Sequence, residues 1–376
     1  MPKQFARTVL TGFLIALLAF GGINMVSAAK PTPTPPPGPS PTPAPLTPMQ
    51  IFGAWHCGNH YCDWSLVRNT TPGGEFDTAN NWLIDRGNGQ PSVNLVVLSF
   101  VNPLKMLNRT DTGYNGMVPV GMDMNVVNYF KNRGIRVMLS IGGITYTDDW
   151  DAALAANPTQ LALNAADVAQ HFGVGIEIDY ENSSSPNIPA LETFINTYRS
   201  ILPYDATGAN PARRLTIDVG AGDRWLIALN RHATANWLLT TNPVLDYANA
   251  MVGGTSSSTP TDWQEHVDGK PQYSPPVPPL APAKFTGALY LKGNIANCNN
   301  FASSEQKADA NFLQTLAPNG AGVTSGMLGF MFWAAEYPSS RRGYTATIPP
   351  NTCQGGMGVA ATTFNIPLPM PSLRQQ

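Results

Sequence analysis

Eight short apolar segments run through this chain after residue 50, most of them separated by a stretch of helical periodicity. That repeat restricts the fold more than any other feature. The segments are Ile51–Cys57, Val93–Val101, Arg136–Gly143, Val174–Glu181, Leu215–Gly222, Asp246–Gly254, Phe285–Gly293 and Gly326–Tyr337. Rich in β-branched and aromatic residues, they read as strands. Helices are predicted near Thr78–Arg86, Met122–Arg133, Pro158–His171, Ile188–Leu202, Trp225–Leu239 and Glu305–Ala317. In the fourth of these, Leu191, Phe194, Ile195 and Tyr198 fall on one stripe, and Pro158 sits where a first helical turn tolerates proline. Strands alternating with helices imply parallel βαβ units, and eight of them suit an α/β fold of the closed (β/α)8 TIM-barrel type better than an open doubly wound sheet. No Gly-x-Gly-x-x-Gly turn follows the first strand and no Walker A sequence occurs, which argues against a nucleotide site. Thr255–Lys284 reads as a long Pro/Ser-rich loop. The residues after Tyr337 read as an irregular C-terminal segment in place of a clear eighth helix.

The flanks divide the 376 residues further. Residues 1–29 read as a secretory signal peptide: Lys3 and Arg7 precede the apolar run Val9–Phe20, and small residues surround Ser27. Residues 30–48 alternate Pro with Thr, Ser, Ala and Gly, an extended spacer that cannot form a core. Residues 49–376 form the barrel domain. The expected location is extracellular or periplasmic, with no stable membrane insertion after cleavage. A net charge of −2 and a charged fraction of 12% leave no basic face for nucleic acid. Low charge with abundant Asn, Thr, Gly and Pro suits an exported monomer acting on a neutral, hydroxyl-rich partner. The 4 cysteines allow three pairings, of which Cys57 with Cys62 and Cys298 with Cys353 are favoured. Export is oxidising and the spacing matches no Cys-x-x-Cys metal site, so disulfides are expected rather than zinc.

Chemistry concentrates in the fourth segment, Val174–Glu181, V-G-I-E-I-D-Y-E. Strand side chains alternate between faces, so Val174, Ile176, Ile178 and Tyr180 share one face and Gly175, Glu177, Asp179 and Glu181 the other. Three carboxylates about 6–7 Å apart along one face cannot all stay ionised when buried, and at least one must hold a proton. That is how a Glu becomes a general acid. Glu181, last in the strand, falls at the carboxyl end where barrel enzymes place their chemistry, with Asp179 one step deeper and Glu177 deeper still.

Together with Ser140-Ile141-Gly142-Gly143 upstream, this segment resembles the glycoside hydrolase family 18 chitinases and endo-β-N-acetylglucosaminidases. That family is a (β/α)8 barrel with Ser-x-Gly-Gly on its third strand and Asp-Gly-x-Asp-x-Asp-x-Glu on its fourth. Gly175, Asp179 and Glu181 match in place, while Val174 and Glu177 replace the first and second Asp. Gly329-Phe330-Met331-Phe332-Trp333 is similar to the family's eighth strand, whose Trp forms the floor under the scissile sugar. The resemblance implies substrate-assisted, retaining hydrolysis of β-1,4 links beside N-acetylglucosamine. Glu181 would protonate the glycosidic oxygen and later activate water, and Asp179 would orient the 2-acetamido group that acts as nucleophile. Glu177 would be an inner support. From the residues alone, an ordinary retaining pair with carboxyls about 5–5.5 Å apart stays open. The sixth strand departs from the family's Met-x-Tyr: Met251-Val252-Gly253-Gly254 lacks the Tyr that bonds the acetamide oxygen, a loss of about 1–3 kcal/mol.

The remaining candidates are substrate contacts. Trp333 would stack a sugar, and Trp55 would line the cleft from the first strand. Asp218, Asn249 and Met251 would face inward from the fifth and sixth strands. Ser140, Gly142 and Gly143 belong to the third-strand motif, with Ser140 a hydrogen-bonding member of the carboxylate network, since no strand-end His is placed to activate it. Tyr114, Trp263 and Tyr273 fall in long loops read as lying on the mouth side. No metal, nucleotide or redox cofactor is implied. Two other functions compete: a secreted chitin-binding protein without catalysis, and a two-carboxylate glycosidase on a polysaccharide without acetamides.

Overall fold

The computed structural model describes residues 51–58, 62–67, 69–84, 91, 93–222, 224–251, 260–290, 327–333 and 335. All lie within the compact unit Leu46–Gln376. The strands are β1 (Ile51–His56), β2 (Leu95–Val101), β3 (Arg136–Gly142), β4 (Gly175–Asp179), β5 (Leu215–Val219), β6 (Ala248–Ala250), β7 (Phe285–Tyr290) and β8 (Gly329–Trp333). Each pairs in parallel with its successor, and β8 pairs in parallel with β1, Ile51 opposite Gly329 and Ala54 opposite Phe332, so the pairing closes on itself.

The helices among the described residues are α1 (Glu75–Ile84), α2 (Pro103–Asn108), α3 (Met124–Lys131), α4 (Thr147–Ala156), α5 (Pro158–Phe172), α6 (Ile188–Ile201), α7 (Ile227–His232) and α8 (Pro260–Asp268). Their starts follow sequence chemistry. Asn102, Asp123, Asn157 and Asn187 each accept a backbone N–H of the first turn, and Pro occupies the opening turn of α2, α5 and α6. On α6 the apolar stripe is buried as expected: Leu191, Phe194, Ile195 and Tyr198 are fully covered. No helix among the described residues is long and apolar enough to cross a membrane.

The structure corrects several expectations. The stretch Thr255–Lys284 is not all loop, because Pro260 opens α8. Trp263 on that helix is fully buried, its ring under Gly287 of β7, so it is core and not a mouth-side contact. Tyr114 likewise leaves the mouth: it stacks on His171 of α5 at 3.6 Å and donates to Asp167 at 3.2 Å. Helices α2 and α4 also form where the periodicity predicts none. The Cys57–Cys62 disulfide is present, with Cα atoms 4.3 Å apart. Cys298, Cys353, the Glu305–Ala317 helix, the segment after Tyr337 and residues 1–48 lie outside the described residues.

At the amino ends of the strands one ion cluster ties neighbours together. Buried Asp246 accepts from Arg214 at 2.7 Å, Arg199 at 3.0 Å and the Leu215 amide at 2.8 Å. Charged hydrogen bonds of this kind lock the β5–β6 register from below. That register matters because it sets which polar side chains meet in the interior above.

Candidate active site

The alternation in β4 holds. Ile176, Ile178 and Tyr180 are fully buried toward the helices, where Tyr180 packs 5.7 Å from Trp150 of α4. Glu177, Asp179 and Glu181 therefore face the interior of the strand ring. Their exposures, 0%, 3% and 9%, rise from the deepest to the outermost.

Glu177 is the most heavily bonded of the three. Trp55 on β1 donates its indole N–H to Oε1 at 2.8 Å, and Asn249 on β6 donates its amide to Oε2 at 2.6 Å. Thr286 on β7 completes the chain by donating to Asn249 Oδ1 at 2.6 Å. A residue on β4 thus reaches strands on both sides of the ring, and the extra methylene of Glu over Asp supplies the length. Burial pushes the Glu177 carboxyl up, and the Trp55, Ser140, Asp218 and Asn249 side chains pull it back. Ser140 Oγ is near enough to exert this influence but makes no well-formed hydrogen bond, its buried oxygen having no partner among the described residues.

Asp179 stands differently. Burial first, then the Glu181 and Glu177 charges, hold its carboxyl well above the usual range. Its Oδ1 has no hydrogen-bond partner among the described residues. Glu181 is lifted from 4.5 to about 7 by burial, with the Ile144 backbone hydrogen bond pulling the other way. Such a group is half protonated near neutrality, the condition in which a carboxyl can both give and take a proton.

The third-strand motif supports this column through its backbone. Gly142 has φ +123, and a Cβ there would stand 1.9 Å from the Asp179 carbonyl oxygen and 2.4 Å from Trp150 Nε1. Only glycine fits. The Gly143 amide donates to the same carbonyl at 3.0 Å and Trp150 donates to it at 3.1 Å, which fixes the chain where it passes from Asp179 to Glu181. Just beyond, Tyr180 shares a short hydrogen bond with Asp151 of α4, which also accepts from Asn182 at 2.8 Å. Glu181 is held between two pinned neighbours.

The other expected residues separate by depth. Ser140, Asp218 and Asn249 are interior, each at most 1% exposed. Trp55 is 3% exposed and is engaged with Glu177, so its N–H is spent inside the protein. Trp333 is partly exposed on β8, 6.4 Å from Trp55 and 5.6 Å from Phe100 at the end of β2. Sequence reasoning misses Phe100. It also sits against Gly143, where a Cβ would meet its ring at 3.0 Å. An aromatic next to the end of the VNLVVLSFV run reads from sequence as core, and no signal in the chain marks it out. Met251 is partly exposed and packs on the core. Val252, Gly253 and Gly254, with the missing-Tyr expectation they carry, lie outside the described residues. Among those residues no group of three or more His, Cys, Asp or Glu side chains is placed to hold a metal ion.

No protein-family model and no curated protein sequence matches the chain. The solved structures to which it is similar include family 18 chitinases. One is from Pseudoalteromonas aurantia, 13% identical over 75% of this chain and 93% of that one, with a TM-score of 0.47. Another is from Chromobacterium violaceum, 14% identical over 82% of this chain and 83% of that one, with a TM-score of 0.44. A third, a group IV chitinase from Ostrinia furnacalis, is 12% identical over 76% and 93%, with a TM-score of 0.46. At TM-scores under 0.5 these likenesses carry no functional weight. The site's own geometry does.

Proposed function

We propose that this chain is an exported (β/α)8 glycosidase that hydrolyses β-1,4 links beside N-acetylglucosamine, in chitin or a related glycan, by substrate-assisted retaining catalysis. The observation that carries the proposal is Glu181. It is a carboxyl at the carboxyl end of β4, buried enough that its pKa rises to about 7, with a second raised carboxyl one inward step below it. In this reading Glu181 gives its proton to the glycosidic oxygen as the bond breaks. The sugar's own acetamide oxygen attacks the anomeric carbon, Asp179 accepts the acetamide N–H and so orients that group and stabilises the oxazolinium it becomes, and Glu181 then takes a proton from the incoming water. Trp333 and Phe100 offer the half-buried aromatic surface on which a sugar ring would stack. Residues 1–29 act as the export signal, 30–48 as a spacer, and 49–376 as the monomeric catalytic domain. The Cys57–Cys62 bond suits an oxidising compartment.

A panel of oligosaccharides read by product mass tests the proposal. Chito-oligosaccharides are expected to give shorter N-acetylated products, and fully deacetylated or cello-oligosaccharides none. Cleavage of cello-oligosaccharides would replace the assisted mechanism with a two-carboxylate one. Binding of chito-oligosaccharides with no new masses would make the protein a binder.

A further inference from the structure

Helix α4 meets the strand ends around Glu181 with three consecutive residues, Asp149, Trp150 and Asp151. Asp149 accepts the side-chain amide of Asn102, just past β2, at 2.6 Å. Trp150 donates to the carbonyls of Ile141 and Asp179, each at 3.1 Å. Asp151 bonds Tyr180 through Oδ1 and Asn182 through Oδ2, the second at 2.8 Å. The direction of each Asp151 bond follows from backbone N–H groups, which can only donate. Asn182 Oδ1 accepts the amides of Ser184 at 3.1 Å and Ser185 at 2.9 Å, so its Nδ2 is the end that faces Asp151. The Tyr180 hydroxyl accepts the Asn187 amide at 2.9 Å, which leaves its own hydrogen for Asp151.

We propose that Asp151 is a positioning residue for Glu181: from outside the strand ring it grips the side chains on either side of Glu181 and so sets where that carboxyl stands. Glu181 is the one residue between Tyr180 and Asn182, so the two bonds to Asp151 close a small ring of chain around it. Tyr180 is fully buried against Trp150, which holds its hydroxyl at a fixed point within reach of Asp151. Directly after Asn182, Ser183, Ser184 and Ser185 are exposed, so Asn182 is where the departing loop is tied down. The bonds of Asp149 and Trp150 fix the helical turn from which Asp151 reaches, the support that precise placement of a reacting group needs. Aspartate suits position 151 because both partners donate. An amide there offers one acceptor and turns an NH2 group toward a donor.

This role rests on the reading of Glu181 as the acid of a glycosidase, and the test keeps the two apart. With chito-oligosaccharides, at temperatures where the variant is folded, Asp151→Asn is expected to lower kcat by about 10²-fold. KM is expected to change little, because Trp333 and Phe100 are untouched. Tyr180→Phe keeps the ring on Trp150 and deletes only the hydroxyl; it is expected to act in the same direction, and it carries the test should Asp151→Asn fail to fold. In the double variant the two losses are expected not to add, since they remove one shared contact. Equal kcat in wild type and variants, a loss confined to KM, or losses that add in full would overturn the role. Absence of turnover by the wild type is a failure of the glycosidase reading alone. The role of Asp151 is then decided by carboxyl-13C glutamate NMR of the same proteins, with the Glu181 resonance assigned by its loss in Glu181→Gln. Its titration midpoint is expected to move in each variant from about 7 toward the ordinary 4.5, as the loosened segment admits water. An unmoved midpoint overturns the role.

Discussion

Single residues decide what this interior can do, and Glu177 shows how little of that is readable along the chain. The alternation of β4 places its carboxyl on the same face as Asp179 and Glu181, and the structure agrees. Its partners cannot be read, because Trp55 lies 122 positions away and meets Glu177 only once the strands form a ring. Trp55 therefore reads as a free aromatic for binding sugar, when its N–H is already given to a buried carboxylate. Removing that donor while keeping an aromatic ring, Trp55→Phe, leaves Glu177 Oε1 without it, and is expected to lower stability by about 1–3 kcal/mol, read as a drop in the thermal or denaturant midpoint. Glu181 carries a second residue-scale expectation. In its proposed role of general acid it must be protonated to start the reaction, so kcat/KM is expected to fall on the alkaline side with an apparent pKa near the value of about 7 set by its burial.

At the scale of elements, the strands and long amphipathic helices are legible because their periodicity is strong: α5 and α6 begin and end within a residue of where the pattern puts them. What escapes has short or misleading signals. Pro260 reads as a loop residue in a Pro/Ser-rich stretch, yet it opens α8, a place where Pro is at home. The fold of that helix over β7 then turns Trp263 from a surface aromatic into core. The junction of β3 and β4 is legible as a motif but not as a mechanism. Its glycines serve close backbone approach, since Gly142 abuts the carbonyl of Asp179. Gly142→Ala is accordingly expected to destabilise by about 1–3 kcal/mol or more through positive φ and to displace the segment carrying Glu181. Far-ultraviolet dichroism through thermal unfolding measures the first effect. Loss of turnover at temperatures where the variant stays folded measures the second.

For the whole molecule, the buried acids tie folding to pH. Glu181, Asp179, Asp218 and Glu177 all have pKa values raised by the fold. A raised acid binds its proton more tightly when folded, so its contribution favours the folded state below the unfolded pKa and is lost as pH rises through the folded one. For Glu181 the window runs from 4.5 to about 7, and the contribution lost across it is about 3 kcal/mol. Glu181→Gln is expected to be more stable than wild type at pH 8 and to lose that advantage at pH 4. Paired denaturant melts at the two pH values check this, and an advantage independent of pH would contradict it. A site that makes the protein less stable at neutral pH than its neutral replacement is the usual cost of function.

The same substitution gives the most direct test of the central claim, that Glu181 is the acid of a glycosidase acting on N-acetylated sugars. Turnover of chito-oligosaccharides by Glu181→Gln, followed by product mass, is expected to fall by about 10²–10⁴-fold while binding of the same oligosaccharides persists. Turnover by the variant at the wild-type rate would contradict the account.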